Sequence, residues 1–254
     1  MSSLFVGIDL AAQARSTGLA VLHDDGRRVR IEHAVLGARD EELIDAFDGA
    51  RRIGVDVPVG WPRSFVELLS AHAEGVMPAP ASTGGPWRRG LAMRATDLVA
   101  HERTGLTPLS VATDRIAHPA LRWAGIEARL RGLGVDVARD GSGRLCEVYP
   151  AAALRSWQLP YRGYKGTKNE AGRSALIEAL EQALPWLEWN GHRSLCAARD
   201  DVLDAVLAAL LAREVEQGRA IPPPEELKQL AQQEGWIWLP RDGALPLGPS
   251  GGNV

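Results

Sequence analysis

The sequence predicts an α/β fold, in which a mixed β-sheet carries helices on both faces and a helical and loop insertion is added to it. Two features predict this class. Short apolar runs of strand length alternate with longer segments whose apolar residues recur at helical spacing. The chain also begins with a strand, a hairpin, a helix and another strand, an order typical of a mixed sheet covered by helices.

The first third of the chain contains the clearest strands. Residues 4–8 form an apolar run typical of a buried strand, and STGLAVLHDDGRRVRIEHAVLG predicts a hairpin that turns at Asp25-Gly26. RDEELIDAFDGA has acids in its first turn and apolar residues at helical spacing, which predicts a short amphipathic helix. RRIGVDVPVGWP predicts a second buried strand, stopped by prolines.

The middle of the chain is less regular. Residues 73–93 are rich in Gly, Pro, Ala and Ser, which predicts a mobile loop or lid and not a core element. Helices are expected over about 94–103 and 119–133, and GRLCEVYP predicts a third buried strand.

The C-terminal part is mainly helical. NEAGRSALIEALEQAL predicts a helix capped by Asn169, and RDDVLDAVLAALLAREVEQG a long helix that ends at Gly218. IPPPEELKQLAQQEGWIWLP predicts a closing helix or turn and a short strand. We therefore expect a single domain over residues 1–240, with an insertion at about 62–140, and a flexible tail over 241–254.

Composition excludes several classes of function. The formal net charge is −3, so any surface that binds a polyanion must be local. The histidines show no closely spaced pair, which argues against a zinc site, and there is no P-loop or Gly-x-Ser-x-Gly motif. Because the two cysteines form no motif and no signal peptide or transmembrane run is visible, we expect a cytoplasmic protein without membrane contact.

Three of the predicted strands end in a lone acid: Asp9 in VGIDLA, Asp56 in IGVDVP and Glu147 in LCEVYP. Asp9 and Asp56 could each simply bond the turn that follows the strand. Taken together, three acids at the ends of apolar strands suggest a cluster at one edge of the sheet.

A fourth acidic position lies on the long predicted helix. Asp200, Asp201 and Asp204 share one side of it, because residues three or four apart lie on the same helix face. Asp200 and Asp201 could cap the helix and interact with its dipole. If these acids instead meet the strand ends, a cation must neutralise them, and oxygen ligands select Mg²⁺ or Mn²⁺. Two such ions can activate water and stabilise the leaving oxygen in phosphoryl transfer.

The motifs that carry a family resemblance follow one another along the chain: FVGIDLA with STGLAVL, GVDVPVGWP, RATD, CEVYPAAALRSW, YKGTK, DDVLDAVLAALLA and EGWIWLP. In these motifs the chain resembles, from Phe5 to about Pro240, the bacterial and archaeal domain-of-unknown-function family 429. Members of that family are described as predicted nucleases of RNase H-like fold. The resemblance implies an RNase H-like core.

The resemblance also implies a role for each acid. The first strand of an RNase H-like core carries one metal-binding acid, matching Asp9, and the fourth strand carries another, matching Asp56. A late helix carries the last, for which we favour Asp201 and Asp204, spaced like the paired acids on the final helix of Holliday-junction resolvases. Glu147 matches the family's EVYP segment and is a further catalytic candidate, although it could instead hold a neighbouring Arg or Lys. The first helix offers no clear match to the acid that RNase H carries there.

Three basic residues are candidates for substrate binding. Arg94 in RATD could bind phosphate, although a salt-bridged helix start fits the same residues equally well. Lys165 and Lys168 in YRGYKGTKNE lie beside aromatic residues before a predicted helix, an arrangement that suits bases and phosphates. A solvated loop is the alternative for this segment.

These observations favour a metal-dependent nuclease that uses water as its nucleophile and holds Mg²⁺ or Mn²⁺ at the acids on the strands and the late helix. Nucleic acid, either DNA or RNA, is then the expected partner, and a homodimer is the default oligomer. One alternative is a catalytically silent RNase H-like module that binds nucleic acid or protein. Another is an actin-like ATP-dependent phosphotransferase, which needs two copies of the fold and therefore fits 254 residues poorly.

Overall fold

The computed structural model describes residues 2–249 and is built on a six-stranded mixed β-sheet. The strands are β1 (Ser3–Asp9), β2 (Gly18–Asp24), β3 (Val29–Leu36), β4 (Ala50–Asp56), β5 (Leu145–Glu147) and β6 (Leu187–Glu188). Their order in the sheet is β5-β4-β1-β2-β3-β6. β1, β2 and β3 are antiparallel neighbours, whereas β4 runs parallel to β1, β5 to β4 and β6 to β3. The predicted α/β fold is confirmed, and its sheet is consistent with an RNase H-like core.

Helices connect and cover these strands. They are α1 (Asp40–Asp45), α2 (Arg63–Ala73), α3 (Gly85–Ala92), α4 (Ala95–Thr104), α5 (Ala117–Gly132), α6 (Pro150–Ser156), α7 (Glu170–Ala183), α8 (Arg193–Ala198), α9 (Asp200–Glu216) and α10 (Lys228–Glu234). Helices α2 to α5 lie between β4 and β5, where the sequence predicts an insertion. Within the described part of the chain, no helix combines the length and the apolar character needed to cross a bilayer.

The sheet is buried on both faces. Side chains alternate along each strand, so Phe5 packs with α7 and α9 in one apolar cluster, whereas Val6 and Ile8 pack with α1 and α5 in another. The central helix is α9, which contacts β1, β2 and β4 and is buried at every position from Val202 to Val215. A polar side chain on such a helix must find a partner inside the protein.

Three glycines allow α9 to lie unusually close to the sheet. They occupy β1, β2 and β4, at Gly7, Gly18 and Gly54, and each faces the α9 backbone. A Cβ atom on Gly7 would overlap the carbonyl oxygen of Ala205, and one on Gly54 would overlap that of Ala208. The glycines therefore set the distance between the α9 backbone and the sheet.

The variant Gly7→Ala is expected to lower the free energy of unfolding by about 3 kcal/mol, because α9 must move away from β1 to admit the methyl group. Denaturation in urea measures the change. Gly125→Ala is the control: it lies inside α5 with no heavy atom near its Cβ position, and is expected to stabilise by about 0.5–1 kcal/mol. A Gly7→Ala protein as stable as the parent would exclude this close packing.

The insertion contains more helix than the sequence predicts. The prediction of a loop over 73–93 is wrong for Gly85–Ala92, which form α3, and the sequence pattern predicts no helix at α2. Neither helix has a fully buried residue, so both lie on the surface of the insertion and not in the core. Proline in the first turn of α3 favours the start of a helix, although its Gly- and Pro-rich surroundings resemble a loop.

Two smaller predictions also differ from the structure. Asn169 precedes α7 as expected, but its side chain does not cap the helix and instead donates a hydrogen bond to the Lys165 carbonyl. The predicted closing strand is reduced to isolated bridges, one of which joins Ile237 to Glu147. Residues 250–254 of the predicted tail lie outside the described residues.

Candidate active site

The acids at the ends of β1 and β4 lie side by side. Asp9 and Asp56 are register partners in these neighbouring parallel strands. Two residues before each of them, Gly7 and Gly54 face α9. Because side chains alternate between the faces of a sheet, both carboxylates also project toward α9.

Helix α9 adds a third carboxylate. Asp204 lies one turn into the helix with 1% of its side chain exposed, and its Oδ1 accepts a hydrogen bond of 2.9 Å from the Tyr164 hydroxyl. Asp201, three residues earlier, is more open, with 26% of its side chain exposed, and lies 3.3 Å from Arg199 Nη2. Of the two predicted helix acids, Asp204 is the buried one and Asp201 lies at the margin.

A lysine reaches into this carboxylate cluster. Lys165 Nζ lies 2.8 Å from Asp204 Oδ2, although half of the lysine side chain is exposed. The backbone on either side of the lysine is fixed by the fully buried Arg173, which donates to the carbonyl oxygens of Tyr164 at 2.9 Å and Gly166 at 2.6 Å. The Lys165 ammonium is therefore held at the cluster by its loop.

Burial and mutual repulsion change the ionisation of these groups. Burial, followed by the charges of Asp204 and Asp56, raises the pKa of Asp9 well above its ordinary value. Burial also raises the pKa of Asp56 to about 7, although Lys165 acts in the opposite direction. Burial lowers the pKa of Lys165, but Asp204 and Asp56 outweigh it and hold that pKa well above its ordinary value. Asp56 is thus poised to change its charge near neutral pH.

This raised pKa predicts a stability change with pH. Because the folded state holds the Asp56 proton more tightly than the unfolded state, its contribution to the free energy of unfolding is lost as pH rises from about 4 to 7. Asp56→Asn removes this loss. Between pH 4.5 and pH 8, we expect the free energy of unfolding of the variant to rise by about 1–3 kcal/mol relative to that of the parent. Urea denaturation at both pH values measures this gain, with the exposed Asp48→Asn as control; a gain of zero would refute it.

Glu147 lines the same cavity as Asp9 and Asp56, but a separate hydrogen-bond network holds it. On β5 it pairs with Val55, one residue before Asp56 on β4, so its side chain leaves the sheet on the opposite face. Its carboxylate accepts hydrogen bonds from Arg94 Nη1 and Nη2, at 2.8 and 2.6 Å, and from the Val59 backbone N–H at 3.1 Å. This is the alternative arrangement in which Glu147 holds a neighbouring arginine; its catalytic role stays a prediction.

All the hydrogen-bond donors of the Arg94 side chain are occupied within the same network. Its side chain is 1% exposed, and all five of its N–H groups have acceptors: both carboxylate oxygens of Asp97, both of Glu147 and the Glu234 carbonyl. These contacts join α4 and α10 to the end of β5. A substrate could reach Arg94 only if this network opened, so its predicted substrate contact has no support in these contacts.

Lys168, the remaining predicted substrate-binding residue, is exposed on the loop three residues beyond Lys165. Within residues 2–249 it takes part in no ion pair. Its position allows contact with a ligand, and its role stays a prediction.

The cluster is not arranged as a ready coordination site. In the part of the chain that the structure describes, no group of three or more His, Cys, Asp or Glu side chains is placed to hold a metal ion. The Lys165 ammonium bonds Asp204 instead. A metal ion bound by all three carboxylates would therefore have to displace this ammonium.

A cavity of about 350 Å³ opens over the strand ends and includes Asp9, Asp56 and Lys165 among its lining residues. Arg115 and Tyr149 line it as well, and neither is among the site residues predicted from the sequence. Arg115 lies in the insertion and Tyr149 directly before α6, so only the folded chain brings them to the carboxylates. No sequence motif marks Arg115; Tyr149 is part of the EVYP segment.

Comparison with known proteins assigns the chain to a family and not to an activity. The family model described as "Protein of unknown function (DUF429)" matches residues 7–228. No curated protein and no solved structure matches the chain. The match spans most of the sequence and includes Asp9, Asp56, Lys165 and Asp204. The chain therefore belongs to the DUF429 family.

Proposed function

We propose that the protein hydrolyses phosphodiester bonds in nucleic acid with Mg²⁺ or Mn²⁺ as its cofactor. Asp9, Asp56 and Asp204 would hold the metal, with Asp201 at the margin of the site. The observation that carries the proposal is the convergence of three carboxylates from β1, β4 and α9, two of which, Asp9 and Asp56, line one cavity. Structural acids are seldom buried together, because each raises the cost of ionising the others.

The charge of the cluster supports a divalent cation. Three ionised carboxylates contribute −3 and the Lys165 ammonium +1, which leaves −2 when all four groups are charged. The ligands are all oxygen atoms, which favour hard ions such as Mg²⁺ and Mn²⁺. Such an ion would supply an activated water and stabilise charge on the phosphate.

The reaction balances with water as the only co-reactant. The water oxygen forms a bond to phosphorus, and the bond from phosphorus to one sugar oxygen breaks. One proton leaves the water and one reaches the departing sugar oxygen. This chain would hold the phosphate and the metal ion in place, and the Lys165 ammonium beside Asp204 would add a positive charge.

The test is cleavage of end-labelled single-stranded and duplex DNA and RNA with Mg²⁺, with Mn²⁺ and with EDTA. We expect at least one substrate to be cleaved with a metal ion and none with EDTA. Cleavage that persists in EDTA would remove the metal from the mechanism, and a failure to cut any substrate while Mn²⁺ is bound would remove the nuclease activity.

A second candidate, a catalytically silent binding module, is favoured by the contacts of Asp204. Tyr164 and Lys165 already occupy its carboxylate oxygens, which is how a permanently neutralised cluster would look. Isothermal titration with Mn²⁺ separates the candidates, since a silent module with a fixed lysine would show no binding that depends on Asp9.

A further inference from the structure

The cavity above the carboxylates has a second wall with a different chemistry. Beyond the acids it is lined mostly by apolar groups, which include Pro108, Leu109, Ile116 and Tyr149. Leu109 is a large apolar residue with 45% exposure at this wall. Apolar surface beside a charged cluster is typical of ligand pockets that combine a few polar groups with an apolar lining.

The wall is held in a defined shape by its own loop. This loop joins α4 to α5, and the Ser110 N–H donates a 2.8 Å hydrogen bond to Asp114 Oδ2. The Ser110 hydroxyl donates at 2.6 Å to the Ala92 carbonyl at the end of α3. Leu109 precedes this anchor and Arg115 follows it, so the loop presents an apolar group and a cation to one cavity.

Arg115 is the exposed cation of this wall. No carboxylate within residues 2–249 forms an ion pair with it, and Asp114 beside it is engaged by the Ser110 N–H. Arg94 also lines the cavity, but acceptors within the protein already occupy all of its donors. A guanidinium with free donors that lines a cavity is suited to a phosphate group.

We propose that this cavity binds one nucleotide whose base is unpaired, with the base against Leu109 and Tyr149 and a phosphate at Arg115. The proposal rests on the proposed function, since it names the substrate of the same site. A volume of about 350 Å³ lies at the lower end of ligand pockets, in a range that one nucleotide unit can fill. A base in a duplex would first have to leave its stack and break its pairing, which disfavours a duplex as the ligand. The substrate class is therefore single-stranded nucleic acid or a free nucleotide.

The test measures binding in EDTA, where no metal-dependent cleavage occurs. Fluorescence anisotropy compares a labelled single strand, a blunt duplex and an abasic strand of the same length. We expect the intact single strand to bind at least 10-fold more tightly than the duplex. Competition by adenosine monophosphate shows whether the ligand is a free nucleotide or a strand. If adenosine monophosphate displaces the labelled strand at a concentration equal to or below that of unlabelled strand, the ligand is a free nucleotide. If a higher concentration is needed, the ligand is the strand.

Two exposed substitutions separate the contributions of the phosphate and the base. Arg115→Ala is expected to weaken binding of the single strand about 10-fold and to lower the slope of log K against log salt by about 0.7. Leu109→Ser is expected to weaken the intact strand but not the abasic one. The matched control is Arg129→Ala, which removes an exposed arginine of α5 that pairs with Glu41, and should change neither quantity.

Equal binding of duplex and single strand, or unchanged binding in both variants, would overturn the proposal. If the two variants also cleave like the parent with Mn²⁺, the nuclease activity stands and only the pocket assignment fails. If no Mn²⁺ binds while Arg115→Ala still weakens strand binding, the nucleotide pocket stands and the proposed hydrolysis fails.

Discussion

Asp9→Asn is expected to reduce metal-dependent cleavage about 1,000-fold or more while the protein stays folded. The substitution keeps the shape of the side chain and removes the charge that would hold the cation between β1 and α9. A loss of this size corresponds to about 4 kcal/mol of transition-state stabilisation, which is reasonable for removal of a direct metal ligand. Initial rates at saturating Mn²⁺ measure the effect.

Asp204→Asn should give a similar loss, and Asp201→Asn a smaller one. Asp204 is buried within the cluster, whereas Asp201 is partly exposed beside Arg199. Exposed Asp48→Asn serves as the control for a lost aspartate charge. If Asp9→Asn and Asp204→Asn both cleave as fast as the parent, the assignment of the site is wrong.

Arg94→Met is expected to lower the free energy of unfolding by about 3–5 kcal/mol, because it leaves the buried carboxylates of Glu147 and Asp97 without their cation. In a chain of this length such a loss corresponds to a fall in Tm on the order of 10 °C. Thermal unfolding followed by circular dichroism measures it. Lys168→Met, which removes an exposed cation, should change Tm by no more than about 1–2 °C.

A double variant shows whether the loss comes from the unpaired charge. Adding Glu147→Gln to Arg94→Met should restore part of the stability, since one of the two stranded carboxylates is then neutral. Should Arg94→Met instead keep the parental Tm and lose only affinity for nucleic acid, Arg94 would be the substrate-binding residue that the sequence predicts.

The acids at the strand ends can be predicted because the sequence patterns that mark them are local. Asp9 and Asp56 each close an apolar run, and an apolar run with turn residues after it marks a buried strand wherever it lies in the chain. Their pairing follows from the order of the elements, which places β4 parallel to β1. The apolar spacing of the long helix α9 also predicts that helix directly. Its burial on every side depends on glycines in three other elements. This burial makes Asp204 a buried acid and leaves Asp201 partly exposed.

The remaining features depend on contacts that sequence patterns do not encode. Lys165 reaches Asp204 because Arg173, eight residues further along, fixes the backbone around it. Glu147 leaves the sheet on the other face because of the register of β5 against β4. Arg115 comes to the cavity from the loop between α4 and α5, where no sequence motif marks it.

The most direct test of the proposed metal site is a crystal soaked in Mn²⁺ and examined by anomalous diffraction. We expect a peak between Asp9, Asp56 and Asp204, with the Lys165 ammonium moved away from Asp204, and no peak in Asp9→Asn crystals. A cluster without a peak at saturating Mn²⁺, with Lys165 still bonded to Asp204, would contradict the metal site and favour a silent binding module.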